Sequence, residues 1–222
     1  MIVILDKKLY KSNFVIAVLA AVLAAVSFYL PIECSFENHI MENSEVVILA
    51  AGFLLMIHRC KYALRKAAQK LWTGCALLYL VMVMRELSWG RVFFPVGMRE
   101  NGEQAFIPMS QISFAPLIYT AVAVMVLTAL ACMAKSLREC AHQEMSWKMP
   151  VWHLAAFAAL MIVSQCAFEK GLIVGVQYGQ LLEEAAEITA YASLVCFTAN
   201  LSVTKQKKEL LCRSDVCRSS SF

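Results

Sequence analysis

The sequence predicts an all-α protein: a six-transmembrane-helix bundle with short loops and both termini on the cytoplasmic side. Three observations predict it. First, 60% of the 222 residues are hydrophobic and only 16% are charged, against roughly 45–50% and about 25% in a soluble domain. Second, six continuous apolar segments lie at about 13–32, 40–58, 71–90, 113–134, 150–168 and 179–203. Each reaches or approaches the ~20 residues that a helix needs to cross ~30 Å of hydrocarbon. Third, if the segments cross in turn, sixteen of the twenty Lys and Arg residues fall on one side, and that side faces the cytoplasm. There is no low-complexity tract and no clear repeat, so the chain reads as a single integral membrane domain over residues 1–222.

The first segment follows Ser12-Asn13, residues suited to a helix start. Lys7, Lys8 and Lys11 precede it, and Ala25-Val26-Ser27 resembles a signal-peptide cleavage site. Apolar residues nevertheless continue to Ile32, longer than an ordinary signal core, so a retained helix is expected. The second segment ends at His58, before the basic stretch HRCKYALRKAAQK. The third enters from that stretch at about Leu71; the 14 residues to Met84 make only ~21 Å of helix, so it is expected to continue to about Gly90. Pro116 stands early in the fourth segment and Pro150 opens the fifth, both at helix-start positions. The sixth carries Ala185, Thr189 and Ser193 as a small-residue face suited to close helix contact. Membrane β-strands fit poorly, because these runs are rich in Ala, Leu and Met and lack ~10-residue alternation.

The acids sort oppositely to the bases, eleven of sixteen falling on the outer side. A basic inner face suits anionic headgroups, so membrane lipids are the expected partners. No separate basic domain exists to bind nucleic acid, and protein partners are not specified. The expected location is a bacterial cytoplasmic (inner) membrane. Nine cysteines include no C-x-x-C pair, which argues against a thiol oxidoreductase. His58 and His153 fall near the inner interface. A bis-His haem is conceivable, but without a further ligand pattern interfacial histidines are expected.

The charges that lie too deep define the candidate site. Arg85 and Glu86 adjoin near the outer end of the third helix. Counting ~20 residues back from His58 puts Glu42 and Glu45 inside the second span, three apart and on one face. In QLLEEAAEITAY, Glu183 and Glu187 share a face and Glu184 lies on the same arc. A charge in the bilayer centre costs ~2.5–3.5 kcal/mol or more, so charges at one depth should face one another or water. Glu42, Glu45, Glu183 and Glu184 also fit a simpler role as first-turn acids favoured by the helix dipole. Glu187 is one turn deeper, and Glu86 sits at the helix end that disfavours an anion. The expected centre is therefore Arg85, Glu86, Glu187 and Glu45, with Arg85 paired to Glu187 or Glu45.

The stretch Glu86, Ser88, Trp89, Gly90, Arg91, with the later LLEEAAE, resembles a Glu-x-Ser-Trp-Gly-Gln/Arg stretch at a helix end in uncharacterised bacterial multi-pass membrane proteins. The resemblance implies a multi-pass membrane fold and brings no activity with it. H-E-x-x-H, G-x-S-x-G and Asp-rich prenyl-transferase motifs are absent from the sequence. The expected function is that of a multi-pass membrane protein without a catalytic role, carrying an outward-facing Glu/Arg cluster. One alternative is transport or binding of a proton, a cation or a small cationic solute. Another is a metal-dependent enzyme acting on a lipid or lipid-linked substrate, in which the glutamates hold a divalent cation and Arg85 or Arg91 binds phosphate. The sequence specifies no metal or other cofactor, and no catalytic residue.

Overall fold

The computed structural model describes residues 2–36, 39–99, 102, 104–143, 145–168 and 176–205. Strand β1 (Ile2–Asp6) leads into α1 (Lys11–Ser27). A 3₁₀ turn (Ile32–Ser35) precedes α2 (Ile40–Tyr62) and α3 (Lys66–Glu86). A second 3₁₀ turn (Ser88–Phe93) and the hairpin β2 (Pro95–Met98), β3 (Gln104–Phe106) lead to α4 (Ala115–His142). Then come β4 (Met145–Pro150), α5 (Val151–Val163) with a π-helical turn at Ser164–Phe168, α6 (Val176–Asn200) and β5 (Ser202–Lys205).

Helix α6 is the hub. Between Leu181 and Tyr191 only Glu183 and Glu184 escape full burial, as expected of a helix surrounded by neighbours. It packs against α1, α2 and α5; α2 continues the layer to α3, and α3 to α4. Helix α2 presents Met41, Glu45, Leu49, Gly52 and Met56 as its buried stripe, spaced three or four apart as one helix face requires. Helix α3 buries Leu71, Cys75 and Tyr79 and, one heptad beyond Tyr79, Glu86. Two glycines allow close approach. A Cβ on Gly52 would lie 2.5 Å from the Tyr79 ring, and one on Gly74 would lie 2.9 Å from the Ala129 carbonyl oxygen and 2.7 Å from Met133 Cγ. The small-residue face of α6 is buried as its sequence suggests, with Ser193 Oγ donating to the His153 carbonyl of α5 at 3.0 Å.

The chain is mostly helical, and among the described residues three stretches are long and apolar enough to cross a membrane: Ile32–Tyr62, Lys66–Glu86 and Ala115–His142. Helices α1 and α5 are apolar but shorter, at 17 and 13 residues. Helix α6 has 25 residues but carries three glutamates. On α4, Leu117, Val124, Leu127 and Leu130 are all exposed, an apolar surface suited to an apolar surrounding rather than to water.

The structure shifts several boundaries. Helix α1 stops at Ser27, five residues short of Ile32, and Ser27 Oγ caps it inward by donating to Leu23 and Leu181 carbonyls. Helix α3 begins at Lys66, inside the basic stretch, so its 21 residues reach full length by Glu86. Continuation to Gly90 is blocked: Ser88, Trp89 and Gly90 have φ of 47°, 55° and 82°, and left-handed backbone cannot extend a right-handed helix. Helix α4 runs on to His142. The purely α expectation also omits two small sheets. In one, β4 pairs in parallel with β1 and antiparallel with β5; in the other, β2 pairs with β3. Strands of three to six residues are too short to show a period, and β1 meets β4 some 140 residues later in the chain.

These pairings sort the helix ends. The β1–β4–β5 sheet gathers the segment before α1, the α4–α5 connection and the segment after α6. Arg59, near the end of α2, donates from Nη1 to the Thr198 and Leu201 carbonyls at 3.0 Å each, and from Nη2 to the Ala199 carbonyl. It thereby satisfies carbonyls that the last turn of α6 leaves open. The segment before α1, the α2–α3 connection, the α4–α5 connection and strand β5 therefore share one end of the bundle, here called the basic end. The start of α2, the end of α3 and the start of α6 lie at the opposite, acidic end.

Candidate functional site

The acidic end contains a three-carboxylate centre. Glu45 comes from α2, Glu86 from α3 and Glu187 from α6, and one carboxylate oxygen of each lies within 4.8 Å of the others. All three are buried, at 1%, 8% and 7% exposure. The same periodicity that builds the core places them there: Glu45 continues the Met41–Leu49 stripe, and Glu86 follows Tyr79 by seven residues.

The three differ in what satisfies them. Glu86 Oε1 accepts a hydrogen bond from the Tyr191 hydroxyl at 2.7 Å. Arg85 Nη1 approaches the same oxygen at 3.8 Å and the Tyr191 oxygen at 3.4 Å. Glu187 Oε1 accepts from Ser164 Oγ at 2.9 Å and from Gln165 Nε2 at 2.8 Å. Two consecutive residues reach one oxygen because they open the π-helical turn, whose wider winding interrupts the regular α register. Glu45 Oε1 is buried and has no hydrogen-bond donor. An unsatisfied buried polar atom costs about 1–3 kcal/mol, and more when charged.

The structure thus brings together Glu45, Glu86 and Glu187, with Arg85 beside Glu86. The Arg85 side chain is half exposed and meets a carboxylate of its own helix and a hydroxyl of α6, in place of the expected contact with Glu45 or Glu187. Glu42, Glu183 and Glu184 stand half-buried around the centre rather than in it. Glu184 is close enough to Glu45, Glu187 and Glu42 for charge repulsion. Glu169 and Lys170, which the sequence puts at the outer edge of the fifth segment, lie outside the described residues.

His58 stacks on Tyr62 of its own helix at 4.6 Å, and His153 is buried with Nε2 2.9 Å from Ser12 Oγ. Sequence reasoning missed Tyr191, Ser164 and Gln165. Signals for them exist. Tyr191 follows Glu187 by four residues and so shares its face, and Ser164-Gln165 is a polar pair inside an apolar run.

Comparison of the chain with protein-family models, with curated proteins and with solved structures finds no match. Its chemistry therefore has to be argued from the site itself. Three buried carboxyl groups, one of them with an oxygen that has no hydrogen-bond partner, outnumber one half-exposed guanidinium at this centre. Such a centre is completed by positive charge.

Proposed function

We propose that this protein is a six-span membrane protein of a bacterial cytoplasmic membrane, with both termini in the cytoplasm, and that its outward-facing Glu45–Glu86–Glu187 centre binds a cation. The observation that carries the reading is the convergence of three buried carboxylates from three helices beside a single arginine, with Glu45 Oε1 left without a donor. A packing cluster alone is favourable when its charges are balanced and hydrogen bonded; an imbalanced one is costly. Binding and release of the cation at the outer half of the bundle is the activity this reading assigns.

The test is the thermal stability of the purified, detergent-solubilised protein at fixed pH with Na⁺, K⁺, Mg²⁺, Ca²⁺, Mn²⁺ or tetramethylammonium. A ligand at 100 times its Kd stabilises the folded state by about 2.7 kcal/mol, or roughly 5–10 °C for a chain of this size. The expected result is that at least one cation raises the Tm of the wild type by that amount and leaves Glu187→Gln nearly unmoved. If none of them separates wild type from variant, the cation-binding reading fails.

A further inference from the structure

We infer that the Glu45–Glu86–Glu187 centre is a site for one hard divalent cation. This deepens the cation-binding reading and rests on it. Charge is the first argument. With all three carboxyls ionised, as coordination of a metal requires, they set two net negative charges against Arg85, and Glu42 and Glu184 stand close enough to add to that field. A monovalent cation leaves that charge half neutralised; a dication balances it.

Donor chemistry is the second. Every ligand atom on offer is a carboxylate oxygen, the donor type that suits Mg²⁺, Ca²⁺ and Mn²⁺, whereas thiolate and imidazole select softer metals. Spacing is the third. Three oxygens at 2.3–2.6 Å from a central Ca²⁺ stand about 4.0–4.5 Å apart when coplanar with it, and at the 2.0–2.1 Å of Mg²⁺ only about 3.5–3.6 Å apart. The oxygens here all lie within 4.8 Å of one another, a limit that both spacings meet, so one ion of this class can reach all three.

The fourth argument is independent of the clustering. Glu45 Oε1 is an acceptor in a side chain only 1% exposed, without any donor to satisfy it. Its partners are held from outside the centre: Tyr191 orients Glu86, while Ser164 and Gln165 orient Glu187. Hydrogen bonds that fix two carboxylates and leave the third with an open oxygen match a metal site whose ligands are oriented by their outer neighbours.

The experiment uses the full chain in detergent and Mn²⁺ alone as the probe, with the disappearance of the free Mn²⁺ electron paramagnetic resonance signal as the readout. Wild type should take up one Mn²⁺ per chain, and excess Ca²⁺ or Mg²⁺ should displace it. Glu45→Gln and Glu187→Gln should weaken uptake at least tenfold. Tyr191→Phe keeps all three carboxylates, so it gives a second reading if those variants fold poorly, and it should weaken uptake ~10–100-fold. Absence of stoichiometric uptake by wild type overturns the inference, whatever the variants do. So does uptake that none of the three substitutions changes. If Na⁺, K⁺ or tetramethylammonium stabilises wild type over Glu187→Gln while Mn²⁺ is not taken up, the divalent assignment falls and the cation-binding reading stands. If no cation stabilises the protein and no Mn²⁺ is taken up, both fall together.

Discussion

Tyr191 joins two helices through one hydroxyl. It donates to Glu86 Oε1 at 2.7 Å, and Arg85 Nη1 stands 3.4 Å from its oxygen. The residue has no measurable exposure, so water cannot take over its role. Tyr191→Phe removes the donor and keeps the ring, and a hydrogen bond to a charged group is worth about 1.5–3 kcal/mol. We expect a loss of that size in reversible unfolding in detergent, with the helix content of the folded state unchanged. Arg85→Ala should cost less. Its half-exposed side chain makes a screened contact at 3.8 Å, and such pairs contribute about 0–1 kcal/mol. The same unfolding measurement compares the two, and a larger loss for Arg85→Ala would show that the guanidinium, not the phenol, holds Glu86. Charge was the legible part at this scale. An anion at a helix C-terminus and a glutamate a turn too deep are visible in sequence because both contradict local electrostatics. Tyr191, Ser164 and Gln165 contradict nothing locally; their importance comes from what other helices bring against them.

At the scale of elements, α3 depends on two close contacts and the β1–β4 pair on one carboxylate. Gly74 faces the backbone carbonyl of Ala129, which cannot rotate away as a side chain can. Gly74→Ala should therefore force α3 and α4 apart, at about 1–3 kcal/mol, measurable as a lower unfolding midpoint. Asp6 closes β1. The Tyr10 hydroxyl donates to it, the Lys8 amide donates at 3.1 Å, and Lys148 of β4 pairs with it at 3.1 Å. The Tyr10 hydrogen bond, with the Lys8 and Lys148 contacts behind it, holds the Asp6 carboxyl below its ordinary value of 3.8. A lowered folded value means that the stabilisation is fully present above that ordinary value and is lost as pH falls through the folded one. Protection factors of the β1 and β4 amides, taken relative to intrinsic exchange at each pH, should fall over that acidic window in the wild type, and Asp6→Asn should flatten the dependence. The helices were legible because apolar runs of this length have few alternatives. Their ends were not: Lys66 and Lys70 read as loop charges, yet Lys70 pairs with Glu139 across the α3–α4 contact and both lysines belong to α3. The sheet was hidden for a different reason, since strands this short are defined by distant partners rather than by their own pattern.

The whole molecule poses the question of sidedness. Sequence and fold approach it from separate directions. Sixteen of twenty bases occupy alternate connections and the two ends of the chain. In the fold, the β1–β4–β5 sheet and the Arg59 bonds to the end of α6 bring segments of that set to one end of the bundle. The carboxylate centre lies at the other. The orientation proposed above, which follows the positive-inside rule, puts the basic end in the cytoplasm and turns the centre outward. Thiol labelling of intact cells with a membrane-impermeant maleimide checks this, and burial decides which cysteines can report. Cys140 is 1% exposed and stays silent from either side. Cys34, in the turn before α2, and Cys60, in the last turn of α2, are both partly exposed and sit at opposite ends of that helix. With the remaining cysteines replaced by Ser or Ala, Cys34 should be modified in intact cells and Cys60 only after permeabilisation. The opposite result would turn the bundle over. The carboxylate centre would then open to the cytoplasm, and its cation would be drawn from there.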